Sequence, residues 1–233
     1  KMPLQKKTTE GLTNTGEEKD HKDHSYDVVV REVLAQRFAA IAEQMGTVLE
    51  QTAISVNIKE RRDFSCAVFQ GNGDLIANAP HVPVHLGAMS ATVKEVMRSF
   101  PVMHPGDCFV TNDPYRGGSH LPDVTVINPI FCSATDESAR SDFSEPDFFV
   151  ACRAHHAEIG GVAPGSMAPT SRCLAEEGVL IEPMLLTSAG EDRTRNLETI
   201  LTSAAYPTRA LAENLADIAA QQAANQFGVQ AMK

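Results

Sequence analysis

The sequence predicts an α+β domain: a mixed, largely antiparallel sheet with long flanking helices. Two long stretches place apolar residues at three- and four-residue intervals, which marks helices buried along one face. Several short alternating or apolar runs are separated by turn residues, which marks strands. The regular strand–helix–strand alternation of a doubly wound sheet is missing from the pattern.

The first helix is carried by Val30, Leu34, Phe38, Ile41, Met45 and Leu49, with Asp27 as N-cap and an end near Thr52. Phe64 to Phe69 alternates as a strand, and Gly71-Asn72-Gly73-Asp74 turns it into a hairpin with Leu75-Ile76-Ala77. A second helix covers Ser90 to Phe100 and stops at Pro101. Short strands follow at Asp107–Thr111, Val124–Ile130 and Asp147–Arg153. The last two flank a polar connection, 133–146, as an antiparallel pair. A closing helix runs from about Thr208 to Phe227, with Leu211, Leu215, Ile218 and Ala219 on one face.

Residues 1–26 are polar and mixed in charge and lack the apolar content to build a core, so they read as a disordered arm or a linker. His21 and His24 fall within that charge run. At 233 residues the chain is long enough for one large domain or two small ones, and 27–233 reads as one domain portion.

Composition narrows the function. A formal charge of −10 and a pI near 5.2, with no Lys/Arg stripe, argue against nucleic acid as a partner. No apolar run approaches the ~20 residues of a membrane span, so no membrane role is expected. The five cysteines, Cys66, Cys108, Cys132, Cys152 and Cys173, form no CxxC pair, and several stand in apolar company as small hydrophobes. A reducing, cytoplasmic setting is the expectation.

The chemistry-bearing residues gather at strand ends and in glycine-rich loops. In Gly117-Gly118-Ser119-His120-Leu121-Pro122-Asp123 an imidazole and a carboxylate three residues apart can meet at one cation across a tight turn. Such a His/carboxylate set suits Zn²⁺, Mn²⁺ or Fe²⁺ better than Ca²⁺ or Mg²⁺. In Arg153-Ala154-His155-His156-Ala157-Glu158-Ile159-Gly160-Gly161, two histidines end an apolar strand. Neighbours on a strand point to opposite faces, so one of the two is expected at the site. Spacing does not say which. Asp63, at the border between Lys59-Glu60-Arg61-Arg62 and an apolar strand, reads equally as a further ligand or as an Arg-paired carboxylate. Arg61 and Arg62 offer bidentate sites for an anionic group. His81 and His85 sit in an extended, proline-stiffened stretch and are candidates for proton transfer or for backbone-satisfied burial. GxSxG, P-loop, GxGxxG-after-strand and HExxH motifs are lacking, so any nucleotide chemistry is expected from another domain or subunit.

Four segments in this order, Asn57-Ile58-Lys59-Glu60-Arg61-Arg62-Asp63-Phe64-Ser65-Cys66, Pro83-Val84-His85-Leu86-Gly87, Thr111-Asn112-Asp113-Pro114-Tyr115 running on to Gly118-Ser119-His120-Leu121-Pro122-Asp123, and Ala154-His155-His156-Ala157-Glu158-Ile159-Gly160-Gly161, closely resemble the hydantoinase B/oxoprolinase family over about residues 27–233. The resemblance implies a chain that supplies a metal centre for ATP-dependent opening of a cyclic amide such as a hydantoin, 5-oxoproline or a lactam. ATP would be bound by a hydantoinase A-type subunit or fused domain, in an oligomer. It assigns metal ligation to His120, Asp123 and His155, and by weaker matching to Asp63. His155 is chosen over His156 on this ground alone. Under that reading His85 or His156 moves protons, and Arg61 or Arg62 holds an anionic substrate group. Ketone carboxylation at the same centre, and a non-catalytic assembly role, are the alternatives. Family members run well past residue 233, and the insertion Ser133 to Pro146 lengthens the connection between the two ligand segments. If the chain is a piece of a fused oxoprolinase-like protein, Lys1 and the polar arm fit an interdomain linker. If it is a separate subunit, they are a tail.

Overall fold

A computed structural model of the chain describes residues 17–79, 83–132 and 145–233, with side chains from residue 28 onward apart from those of 83–86. Two units meet between Gln36 and Arg37. The first holds the start of helix α1 (Glu17–Thr52), on which Val28, Val29, Val33 and Leu34 are exposed. The helix begins ten residues ahead of Asp27, which is therefore helical and not a cap. The apolar face read from the sequence is buried only in its second half, at Ile41, Met45 and Leu49.

Among the described residues, the second unit, 37–233, is built on one sheet of seven strands in the order β2-β1-β5-β4-β3-β6-β7. The strands are β1 (Phe64–Gln70), β2 (Leu75–Asn78), β3 (Cys108–Thr111), β4 (Asp123–Ile130), β5 (Phe148–His155), β6 (Met184–Ser188) and β7 (Glu191–Asp192). All the pairings are antiparallel, as expected. The sequence reading did not include β6, β7 or three helices: α2 (Val56–Lys59), α4 (Leu174–Glu177) and α5 (Thr194–Ser203).

Side-chain alternation along the central strands supplies a core on both faces. Phe64, Cys66, Val68, Val150, Cys152 and Ala154 pack with Met45 and Leu49 of α1 and with Ala220 and Ala224 of α6 (Leu211–Ala231). Val110, Val124, Val126 and Leu186 meet Leu197, Leu201 and Ile218. On the opposite face, Ala67, Phe69, Phe109, Ile127, Phe149 and Ala151 meet Met89, Val93 and Val96 of α3 (Pro83–Ser99).

Helix α3 starts at Pro83, seven residues before the Ser90 expected from the sequence, and absorbs a stretch read as extended. Proline suits the first helical turn, where its missing N–H costs no bond. His85 thus lies in the first turn of a helix. Its side chain, like His81 and most of the insertion (133–144), falls outside the described residues.

Candidate metal centre

The site forms where three neighbouring strands end together. Strand β5 lies between β1 and β4 and is antiparallel to both, so its last residue stands beside their first ones. Asp123 is registered against His155 directly, and the His155 N–H donates to the backbone oxygen of Asp63 at 2.9 Å. Two sequence segments some thirty residues apart are thereby brought to one point. Alternation then selects the face. Asp123, Thr125 and Ile127 on β4 and Ala151, Arg153 and His155 on β5 share the side covered by α3.

His120, Asp123 and His155 each offer a ligand atom, all within 4.8 Å of one another; they form the potential metal-holding group found among the described residues. Asp123 is wholly buried and central. Its Oδ1 lies 2.9 Å from His155 Nδ1 and its Oδ2 lies 2.6 Å from His120 Nδ1. Ser119 Oγ also donates to Oδ2. The two imidazoles approach edge to face with centroids 5.1 Å apart. The His120 contact is short but misaligned for a hydrogen bond, which leaves its Nδ1 as a buried nitrogen with no hydrogen-bond partner. The Asp123 carboxylate holds His120 above its ordinary imidazole value, against the effect of burial, and Asp63 adds a smaller push in the same direction. Two imidazoles, a buried carboxylate and an orphaned ring nitrogen are the donor chemistry that a borderline divalent cation takes. Asp63 is outside the close group, although its charge reaches His120.

His155 and His156 diverge as strand geometry requires, and the site takes His155. His156 points to the α6 face and is fully buried. Its Nδ1 lies 2.8 Å from Asn214 Oδ1 and its Nε2 3.2 Å from Gln221 Oε1. The amide nitrogens behind those oxygens are engaged in turn. Gln221 Nε2 donates to the carbonyls of Val124 and Cys152, and Asn214 Nδ2 to Thr208 Oγ1 and Glu158. With both ring nitrogens engaged inside the core, His156 faces away from the group formed by His120, Asp123 and His155. Glu158 anchors the same network. Burial pushes its carboxyl up, but hydrogen bonds from Thr208 and from the N–H groups of Gly160, Ala210 and Arg209 outweigh that and hold it below the usual carboxylate range.

Arg61 and Arg62 are exposed. Arg62 has φ 55° and gives Nε and Nη2 to Glu50 Oε1 at 3.0 and 2.8 Å, so its fork is directed at α1. Sequence reasoning did not single out Arg153. It is wholly buried, two residues before His155, and hydrogen-bonds to Thr125 and Thr92. Burial pushes its guanidinium down to about 10, with the Asp123 carboxylate opposing. The signal was available: a lone arginine on the α3 parity of the otherwise apolar run Phe149–Ala154.

The family profile of hydantoinase B/oxoprolinase matches residues 27–233. The chain belongs to this family. Among its relatives, 5-oxoprolinase 1 of Arabidopsis thaliana is 47% identical over 216 residues, which is 89% of this chain and 16% of that protein. The crystal structure of the ATP-dependent caprolactamase of Pseudomonas jessenii superimposes with a TM-score of 0.74 at 26% identity, covering 88% of this chain and 33% of that one. Acetone carboxylase in its nucleotide-free form shares the fold, with a TM-score of 0.74 at 20% identity over 88% of this chain and 25% of that one. The chain thus spans a sixth to a third of these relatives' lengths. No helix among the described residues is long and apolar enough to cross a membrane.

Proposed function

We propose that this chain provides the divalent-metal centre of an ATP-dependent cyclic-amide hydrolase, working with a hydantoinase A-type subunit or domain that binds ATP. The observation that carries the reading is the convergence of His120, Asp123 and His155 at the shared end of β4 and β5. The relatives support it: one is a 5-oxoprolinase, another an ATP-dependent caprolactamase. Both names describe attack on an amide within a ring.

Under this proposal His120, Asp123 and His155 hold the cation, with Asp63 on the neighbouring strand end as a further carboxylate. Zinc, manganese and iron all suit the donor set. When bound, such a cation supplies Lewis-acid polarisation of a carbonyl oxygen and acidification of water. The chain's own residues prepare that chemistry. Asp123 orients His155 through a hydrogen bond and lies against His120, and Ser119 steadies the carboxylate. His155 is fixed by β5 pairing on both sides, whereas His120 rides on a loop. Proton transfer falls to His85, since His156 is committed inside the core. Arg61, on the turn leading into Asp63, is proposed to meet an anionic substrate group, and Arg62 to do so in exchange for its pairing with Glu50.

The test is ATP-dependent ring opening of 5-oxoproline, a hydantoin and a lactam by the complete protein with its ATP-using partner. Turnover should be lost on chelation and restored by one of these metals. Undiminished turnover after complete removal of metal contradicts the proposal.

A further inference from the structure

We infer that Arg153 and Thr92 are positioning residues for this centre: together they clamp the backbone carbonyl of Gly117 and so fix the loop that delivers His120. The inference rests on reading the site as a metal centre. Asp123 and His155 sit on paired strands, so the sheet itself sets their separation. His120 has no strand. It stands on the loop between β3 and β4, and its side chain is 40% exposed against 17% for His155 and none for Asp123. Its position must be set by whatever holds that loop.

The loop is closed on itself first. The N–H groups of Arg116 and Gly118 donate to the Asp113 carbonyl at 3.1 and 2.9 Å, and Asp113 Oδ1 accepts from the Tyr115 N–H at 2.9 Å. It is then pressed onto α3. Gly117 has φ 86°, and a Cβ there would stand 2.4 Å from the backbone nitrogen of Thr92. Helix and loop therefore meet backbone to backbone. The carbonyl of Gly117 accepts from Thr92 Oγ1 and, at 3.1 Å, from Arg153 Nη2. The same Nη2 donates to Thr92 Oγ1 at 2.7 Å, while Arg153 Nε donates to Thr125 Oγ1 at 2.8 Å. One guanidinium thus ties β5, β4, α3 and the loop together directly behind the three donors. Three residues beyond the clamped carbonyl comes His120, and its own carbonyl accepts from the Asp123 N–H at 2.9 Å.

Packing alone does not favour this arrangement. An arginine wholly removed from water costs several kcal/mol unless charge and hydrogen bonds compensate it, and an apolar residue of similar size serves a core as well or better. Here the compensation comes from the very elements that must be held in register, with the Asp123 carboxylate supplying the opposite charge.

Thr92 separates a positioning role from a merely structural one, because Thr92→Val keeps the side-chain shape and removes the hydroxyl, while Thr92→Ser keeps the hydroxyl. The experiment titrates Co²⁺ into the metal-stripped complete protein, following its visible absorption bands, with thermal unfolding of the stripped protein measured alongside. Loss of a group that orients metal ligands weakens metal binding by about 10–100-fold. Thr92→Val should therefore raise the Co²⁺ dissociation constant about tenfold and alter the absorption of the bound ion. Thr92→Ser should stay within about threefold of the wild type, below that range. Arg153→Met, where it folds, should weaken binding at least as much as Thr92→Val. Equal affinity and equal spectra for Thr92→Val and wild type overturn the inference and leave the metal-centre reading standing. Equal weakening in the valine and serine variants also overturns it, because the hydroxyl would then not be the cause. Failure of the wild type itself to bind Co²⁺ overturns the metal-centre reading, and the inference falls with it.

Discussion

Replacing His156 by leucine distinguishes a structural histidine from a catalytic one. The side chain is completely buried, and its nitrogens lie 2.8 Å from Asn214 Oδ1 and 3.2 Å from Gln221 Oε1. Leucine fills most of the imidazole's space but donates nothing. The two amide oxygens cannot rotate away to find other donors, because their NH₂ groups are held by Val124, Cys152, Thr208 and Glu158. A buried acceptor left without a donor costs about 1–3 kcal/mol, so one to two of them come to about 1–6 kcal/mol, with the longer Gln221 contact at the low end. Against a typical domain stability of about 5–15 kcal/mol that is a large fraction. Urea unfolding of wild type and variant, monitored by circular dichroism, measures the difference. The expected result is a much lower midpoint with turnover per folded molecule largely preserved. A stability change below about 1 kcal/mol, within the range of an ordinary surface substitution, together with abolished turnover would refute this reasoning and return His156 to the reacting atoms.

The other expectations are narrower. Gly117→Ala forces a Cβ into a φ of 86° at 2.4 Å from Thr92 N, so stability should fall by about 3 kcal/mol or more in thermal unfolding. Glu158 is held below its ordinary value of 4.5; its contribution is therefore complete above that pH and is lost as pH falls through the lower folded value. Acid unfolding of Glu158→Gln should accordingly be less steep below pH 4.5 than that of wild type, and the gap between the two should shrink toward acid. Arg62→Ala breaks an exposed pair with Glu50 and should change stability by no more than about 1 kcal/mol in urea unfolding.

The sheet was largely legible because its strands are short apolar runs bounded by turn residues, as in Phe64–Gln70 before Gly71-Asn72-Gly73-Asp74. Antiparallel pairing of β4 with β5 was legible too, and it explains why distant ligand segments meet: the hairpin sets the start of one strand beside the end of the other. The early start of α3 was not legible, because a proline preceded by His81-Val82 reads as extended until the helix it opens is seen. Nor was the helix α5, whose Leu197 and Leu201 form one short apolar stripe in a polar run. Within the site, strand alternation told that only one of His155 and His156 could face it, and the choice of His155 came from the family resemblance, not from spacing. Arg153 was missed for a related reason. Its partners Thr92, Thr125 and Gly117 come from three separate segments, and no local spacing connects them.

Metal analysis of the complete protein, purified without chelators, tests the central claim most directly when paired with His120→Ala and His155→Ala. The account predicts about one divalent zinc, manganese or iron per chain in the wild type, as a His/carboxylate centre requires, and loss of that ion in both variants while circular dichroism shows the fold retained. The same metal content in all three proteins, or a metal-free wild type that opens the cyclic amide at full rate with ATP and its partner, would contradict it.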